Sequence, residues 1–223
     1  MRQRKGKKIL IYFFLLLLVG SINNIELNNL EFKKIKDINV EGLDNDNNLI
    51  LLQKIKNLEL SNIFFINKTK ISNHIRSNSL VEKFEIFRKY PSSLDIKINQ
   101  TRFLARINKN GKTFFVGSNG RLTEANFSNN NLPFIFGKPR IEEFLNFKNI
   151  IDESKFVYSK IKNLYFFSSN RWDLELSNDV LIKLPKNYTK ESLELAYEFL
   201  QNQNFQDIKI IDARVNNQII LND

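Results

Sequence analysis

The sequence has 223 residues, which is long enough for two small domains because single domains usually have about 100 to 150 residues. It contains no cysteine, which excludes disulfides, thiolate catalysis and cysteine-based zinc sites, and its 42% of hydrophobic residues excludes a disordered chain. The net charge is +10, but five of the 34 basic residues lie among residues 1–8, and the remaining 29 stand against 24 acidic residues. Half of the positive charge therefore indicates membrane topology rather than binding to nucleic acid.

The N-terminus combines this basic tail with an unbroken apolar run from Ile9 to Val19. The run is apolar on every face, which favours a membrane segment over a buried core helix, and the positive-inside rule keeps the tail in the cytoplasm. We therefore expect a cytoplasmic tail at residues 1–8, a transmembrane segment at residues 9–25 and export of the remainder. The run is also short enough for the core of a cleaved signal peptide, and the small residues at 19–21 would suit a peptidase.

A polar linker at residues 26–34 is expected to precede a module of order β-α-α-β-β at residues 35–100. A turn at Asn45–Asn48 leads into a helix from Leu49, and Asn67 is a good N-cap for the second helix. The apolar residues that predict the three strands and two helices are Ile38, Val40, Leu51, Leu52, Ile55, Leu58, Ile71, Ile75, Phe84, Ile86, Leu94, Ile96 and Ile98.

Residues 101–223 predict a second domain with a mixed sheet, mostly of hairpins, and with helices on one side. Asn110-Gly111 is a strong hairpin signal between strands at residues 101–108 and 113–116. The later elements are a helix beginning near Pro139, a hairpin of strands 171–176 and 180–184, a helix capped by Thr189, and strands at 208–215 and 218–221. The fold class is therefore α+β, with one N-terminal transmembrane helix before two domains.

Several stretches resemble a known family in their order and spacing. Ile63-Phe64-Phe65-Ile66-Asn67 resembles the stretch that leads into the second helix of a POTRA module, and residues 88–96 resemble its strand with a basic residue, an aromatic residue, Pro and Leu-x-Ile. Further similar stretches lie at residues 115–120, 132–137, 171–176 and 211–214. Together they resemble the bacterial division proteins FtsQ and DivIB, in which a POTRA domain is followed by a β domain.

Candidate catalytic residues are few, and we predict no enzyme. His74 is the sole histidine, and it is interpreted as an ordinary helix residue because no cysteine or second histidine can join it in a site. The pairs Glu142-Glu143 and Asp152-Glu153 would suit a wall hydrolase, but solvated helix faces explain such pairs more often. The seven glycines form no phosphate-binding loop, so we predict no catalytic residue, metal site, cofactor or small-molecule substrate.

Binding of a partner protein at a sheet edge is the function that remains. A strand at the end of a chain tends to lie at an edge, where its N–H and C=O groups can pair with a partner's strand, and residues 208–221 are the candidate. The resemblance implies that the single-pass division proteins FtsB and FtsL bind there, and that the POTRA-like module offers a second, weaker surface. The predicted partner-binding residues are Arg171, Arg214, Val215, Asn216, Asn217, Gln218 and Ile219, with Arg171 supporting the others as a carboxylate ligand.

The leading hypothesis is a non-enzymatic division scaffold in the bacterial inner membrane, single-pass, with its bulk in the periplasm and its place at the septum. The alternative is a cleaved periplasmic envelope-assembly protein that uses its POTRA-like module to bind or escort clients.

Overall fold

The structure, a computed structural model, describes residues 3–22, 34–124, 131–201, 208–215 and 217–222. An N-terminal helix is followed by two units, and each unit is a sheet with two helices on one face. The helices are α1 Gln3–Ile22, α2 Asn45–Lys56, α3 Lys68–Arg76, α4 Ile141–Asp152 and α5 Thr189–Gln201. The strands are β1 Asp37–Glu41, β2 Val81–Lys89, β3 Ser93–Gln100, β4 Phe103–Lys109, β5 Lys112–Gly117, β6 Leu122–Glu124, β7 Phe134–Phe136, β8 Ile161–Phe166, β9 Trp172–Leu176, β10 Leu181–Lys183, β11 Ile210–Asp212 and β12 Ile220–Asn222.

Helix α1 contains the predicted membrane segment as far as Ile22, whereas residues 23–33, with most of the predicted linker, lie outside the described residues. The apolar side chains from Ile9 to Val19 are all exposed, by 41 to 70%, so they belong to neither core. Judged by length and apolarity, no helix in the described ranges could cross a membrane. The transmembrane segment at residues 9–25 thus stays a prediction.

The first unit has the predicted order β-α-α-β-β. Its central strand is β3, which pairs in parallel with β1 and antiparallel with β2. Side chains alternate along a strand, so Leu94, Ile96 and Ile98 all point toward the two helices and are buried against Ile55 of α2 and Ile75 of α3. One apolar layer between sheet and helices therefore holds this unit together.

The predicted turn at Asn45–Asn48 is wrong, because α2 already begins at Asn45. Asp44 is the N-cap, and its Oδ1 accepts a hydrogen bond from the backbone N–H of Asn47 at 3.0 Å. A capping carboxylate satisfies one of the N–H groups that the first helical turn leaves open, which offsets the weak helix propensity of the asparagines. The prediction for Asn67 is confirmed, since its Oδ1 accepts from the N–H of Lys70 at 3.0 Å.

The second unit contains a nine-stranded mixed sheet in the order β12-β11-β10-β9-β8-β7-β4-β5-β6. Helices α4 and α5 cover one face of it, and the opposite face has no helix among the described residues. Trp172 of β9 lies at the centre of the covered face, where its ring stacks on Phe147 of α4 at 4.8 Å and meets Phe166 of β8 at 4.9 Å. The mixed sheet with helices on one side is confirmed.

Several predicted boundaries in this unit are corrected. Strands β6, β7 and β8 were not predicted, because β6 and β7 have three residues each and the parallel pairs β4·β7 and β7·β8 join distant segments. Thr189 is the first residue of α5 rather than its cap, and its hydroxyl donates to the carbonyl oxygen of Pro185 at 3.2 Å. Arg171 precedes β9, and the two final strands are shorter than expected.

A polar joint connects the two units. The carboxylate of Glu82 accepts from the hydroxyls of Thr101 at 3.0 Å and Ser118 at 2.7 Å. The side-chain amide of Asn119 donates to the carbonyl oxygens of Ser79 at 2.8 Å and Val81 at 2.9 Å. The second unit therefore contacts the first at the end where β2 begins and β3 leads onward.

Candidate partner-binding site

The predicted edge at residues 208–221 is corrected, because only its last part lies at the edge of the sheet. Strand β11 is an interior strand, since it pairs in parallel with β10 and antiparallel with β12. Its central residue, Ile211, is fully buried. Within the described ranges, β12 has a neighbouring strand on one side only, so Ile220–Asn222 forms the edge.

Strand β12 is short but anchored. Leu221 lies opposite Ile211 and packs against the core, whereas Ile220 is 51% exposed. An edge strand of this kind presents backbone donors and acceptors to solvent, and an incoming strand can satisfy them.

The predicted binding residues beyond Arg171 lie in the connection between β11 and β12. Arg214 and Val215 follow β11, Gln218 donates its backbone N–H to the carbonyl oxygen of Val215 at 3.2 Å, and Ile219 packs against the core. Asn217 has φ +56, a conformation that asparagine tolerates better than most residues. These residues therefore border the edge strand instead of forming it. Asn216 lies outside the described residues.

Arg171 lies close to this connection, as the sequence predicts, but it binds a carboxylate of its own chain. Its Nε donates to Asp173 Oδ1 at 3.2 Å and its Nη2 to Asp173 Oδ2 at 3.4 Å, while its guanidinium lies over the ring of Phe167 at 4.2 Å. Asp173 is only 2% exposed and also accepts from the backbone N–H of Leu184 at 3.3 Å. Burial raises the pKa of Asp173, and the charges of Arg171 and Arg214 partly oppose that rise.

Arg214 forms a second pair of this kind near Arg171 and Asp173. Its Nε donates to both carboxylate oxygens of Asp212, at 2.8 and 3.0 Å. This hydrogen bonding lowers the pKa of Asp212 and raises that of Arg214. Both predicted arginines line one concavity of about 460 Å³ on the uncovered face of the sheet, so the tertiary structure brings them together.

The uncovered face beside this concavity contains residues that sequence reasoning missed. Side chains that lie opposite each other on neighbouring strands share a face. One such row crosses the sheet to the edge strand and comprises Phe136, Tyr165, Asp173, Lys183, Asp212 and Ile220. Its two rings, Phe136 and Tyr165, stack at 5.0 Å. Alternation of Leu164 with Asn163 and Tyr165 was the available signal, and it was missed because β8 was not predicted.

Glu175 holds part of this face in place. It accepts from the Tyr165 hydroxyl at 2.6 Å and from the Asn163 amide at 3.0 Å, and it pairs with Lys162 at 3.3 Å. Burial would raise the pKa of Glu175, but these hydrogen bonds outweigh it and lower the pKa. Burial, followed by the contact with Glu175, raises the pKa of Tyr165 to about 12.

Three of the four acidic residues considered for catalysis have structural partners. Glu143 accepts from the backbone N–H of Arg140 at 2.8 Å in a capping box of α4, and this bond is the main reason that its pKa is lowered. Asp152 pairs with Lys148, and Glu153 pairs with Lys190 at 3.0 Å. Among the described residues, no group of three or more His, Asp or Glu side chains could hold a metal ion.

Comparison with known proteins agrees with this architecture. Residues 33–99 match the family described as POTRA domain, FtsQ-type, and residues 105–214 match the family described as cell division protein FtsQ/DivIB, C-terminal. The chain is 23% identical over 199 residues to the cell division protein FtsQ of Rickettsia bellii, an alignment that covers 80% of this chain and 69% of that protein. It is 25% identical over 189 residues to FtsQ of Rickettsia felis, with 80% and 69% covered.

A relative from another lineage has the second name of the family. The chain is 31% identical over 97 residues to the cell division protein DivIB of Clostridium acetobutylicum, which covers 43% of this chain and 38% of that protein. The two family matches lie in the order of the two units, and together they cover most of the sequence. The chain therefore belongs to the FtsQ/DivIB family of cell division proteins.

Proposed function

We propose that this chain is a non-enzymatic scaffold of the division machinery that recruits single-pass partners of the FtsB and FtsL type to the septum. In this proposal residues 1–8 stay in the cytoplasm, residues 9–25 cross the inner membrane, residues 26–34 form a linker, and the domains at 35–100 and 101–223 lie in the periplasm. Family membership supports the division role. The five basic residues that precede a charge-free stretch support the orientation.

The observation that carries the binding proposal is the edge strand β12. A partner segment would pair with its outer side as a tenth strand, and main-chain hydrogen bonds would supply the affinity. The proposed contacts beside it are Arg171, Arg214, Val215, Asn216, Asn217, Gln218 and Ile219. Since Arg171 and Arg214 already bind Asp173 and Asp212, we propose that they position the edge and attract acidic groups rather than form a dedicated bidentate pair with the partner.

Co-purification with partners of the FtsB and FtsL type tests this mode of binding. Deletion of residues 208–223 would remove the buried Ile208, Ile211 and Ala213, so a loss of binding could result from unfolding. Deletion of residues 220–223 removes the edge strand and leaves those three residues in place. We expect the shorter deletion to abolish co-purification while the second unit stays folded, and retained binding would refute pairing at β12.

A matched pair of substitutions sharpens the test. Ile220→Asp places a charge on the edge strand at a side chain that is 51% exposed, and Val157→Asp makes the same change at a side chain that is 54% exposed and outside the sheet. We expect only Ile220→Asp to weaken partner binding. Equal effects of the two variants would contradict a local site at β12.

Topology and localisation are tested separately. Mass spectrometry of the mature N-terminus is expected to show an uncleaved chain, whereas a start near Ile22 would favour the cleaved envelope-assembly protein. A tagged copy is expected to form a midcell band in dividing cells, and a uniform envelope signal would contradict the division role.

A further inference from the structure

The first unit has two different ends. Strand β1 begins opposite the beginning of β3, with Asp37 beside Ser93, and β2 ends at the same level. The segment before β1 is fixed there too, because Lys34 forms a bridge with Asn62 and the N–H of Ile35 donates to the carbonyl oxygen of Ser61 at 3.2 Å. This end, made of residues 34–37, 56–70 and 88–93, is the linker end. The second unit attaches at the opposite end.

Three aromatic side chains are exposed at the linker end. Phe64, Phe65 and Tyr90 are 50%, 71% and 62% exposed, and the rings of Phe64 and Tyr90 lie 5.4 Å apart. Neighbouring exposed apolar side chains, unlike single scattered ones, are typical of surfaces that bind a partner or a membrane.

The local structure holds two of these rings outward. Ile63 is fully buried and Ile66 is 8% exposed, so the residues on either side of the phenylalanine pair are fixed in the core. Asn62 Oδ1 accepts from the N–H groups of Phe64 at 3.1 Å and Phe65 at 3.2 Å, which fixes the turn. The backbone that carries these two phenylalanines is therefore fixed from both sides.

The linker end is also strongly basic. It contains seven basic and two acidic residues. Four of the lysines, Lys34, Lys36, Lys68 and Lys70, are exposed, and none of them pairs with an acidic side chain in the described parts of the chain. Aromatic rings flanked by lysines are the side-chain set that membrane-surface segments use, because the rings enter the headgroup layer while the ammonium groups meet anionic lipids.

We propose that the linker end docks on an anionic phospholipid surface, with Phe64, Phe65 and Tyr90 in the headgroup layer and the lysines against lipid phosphates. The choice of a lipid surface as occupant rests on charge complementarity and on the proposed topology. The chain reaches this end only 12 residues after helix α1 ends, whereas the far end of the unit lies about 26 Å away along the eight residues of β3. The 11 residues at 23–33 have a maximum reach of about 40 Å, so tethering alone would not force contact.

The test uses the full chain, which has no cysteine and can therefore carry a single nitroxide label. Phe65→Cys reports on the linker end, and Val157→Cys, at an exposed position of the second unit, is the control. The labelled chains are reconstituted in vesicles of phosphatidylcholine with or without phosphatidylglycerol. The measured quantity is the ratio of the nitroxide's accessibility to oxygen, which is enriched in lipid, to its accessibility to a water-soluble nickel relaxant. We expect this ratio to be severalfold higher at position 65 than at position 157 when phosphatidylglycerol is present.

Charge variants test whether the lysines contribute to the lipid contact. Lys68→Glu with Lys70→Glu should remove the effect at position 65, whereas Lys138→Glu with Lys186→Glu, the same charge change in the second unit, should preserve it. High salt should weaken the contact because it screens the lysines. The proposal is overturned if, in vesicles with phosphatidylglycerol, the nitroxide at position 65 is as accessible to nickel as the one at position 157. It is also overturned if position 65 contacts vesicles of phosphatidylcholine alone equally well.

The outcome is distinguishable from failure of the membrane anchor. Alkaline extraction of the vesicles shows whether the N-terminal segment is inserted. Lipid contact at position 65 in a chain that can be extracted supports the docking site and contradicts the anchor. An inserted chain with position 65 in water supports the anchor and contradicts the docking site.

Discussion

Removal of Arg171 should destabilise the second unit by leaving the carboxylate of Asp173 without its principal partner. Asp173 is 2% exposed, and after Arg171→Ala it would keep the backbone N–H of Leu184 and the nearby charge of Arg214. Breaking a buried ion pair by removing one partner typically costs 3–5 kcal/mol, and these two remaining groups place the expected loss near the lower limit, at about 3 kcal/mol. At a typical urea dependence of about 2 kcal/mol per molar, the unfolding midpoint should fall by about 1.5 M.

Urea unfolding followed by Trp172 fluorescence measures this loss, because Trp172 is the sole tryptophan and lies beside both residues. The double variant Arg171→Ala with Asp173→Asn removes the buried charge as well, so it should recover most of the stability. Arg140→Ala is the control, since Arg140 pairs with Glu143 through an exposed guanidinium and its loss should change little. A shift below about 0.5 M for Arg171→Ala, or no recovery in the double variant, would refute this account of the cluster.

Three further predictions concern the same fold. Burial raises the pKa of Asp173 in the folded state, so at this group the folded protein binds more protons than the unfolded protein once the pH rises above about 3.8, and the contribution of Asp173 to stability then falls. In urea titrations, the stability of Asp173→Asn relative to the unsubstituted chain should therefore increase as the pH rises above about 3.8. Gly42→Ala should lower the free energy of unfolding of the first unit by at least about 2 kcal/mol, because a Cβ there would lie 1.8 Å from the Ile98 oxygen at φ +113. Gly111→Ala in the second unit, with φ +79 and open space, should cost about 1 kcal/mol, and far-UV circular dichroism in urea follows the unfolding of both units. Deletion of residues 220–223 should lower the free energy of unfolding by no more than about 2 kcal/mol, because Leu221 is the one core-packed side chain that it removes, and a larger loss would contradict its use as a binding test.

Local signals account for most of what could be predicted in the first unit. Asn67 predicts a cap, and the alternation of Leu94, Ile96 and Ile98 predicts a half-buried strand, because both depend on neighbouring residues alone. The wrong turn at residues 45–48 arose because asparagine favours turns and caps alike, and the deciding contact is the bond from Asn47 to Asp44.

In the second unit, local sequence signals did not lead to a correct prediction of every strand. Strand β7 was missed because a three-residue parallel strand has no hairpin partner beside it in the sequence, and its pairing with β8 depends on a segment brought back by α4. Strand β8 has six residues and an antiparallel neighbour in β9, so the alternation around Leu164 was a local signal that was overlooked. The hairpin of β9 and β10 was predicted correctly, because its two strands are separated by a short turn.

From the sequence alone followed the excluded chemistries, the basic tail before an apolar run and the order of the elements in the first unit, since composition and local periodicity carry that information. The resemblance to one family followed from short motifs in a fixed order. The tertiary structure decided that residues 210–212 form an interior strand and that Ile220–Asn222 is the edge. It also decided that Asp173 is buried. Alternation with Trp172 and Leu174 places Asp173 on the side away from the helices, where the sequence suggests a solvated residue, yet it is 2% exposed. Besides Arg171, two residues before it, Asp173 interacts with the backbone N–H of Leu184 and with the charge of Arg214, which follow β10 and β11. Burial by distant segments depends on how the chain returns to the same place, and no local pattern records that.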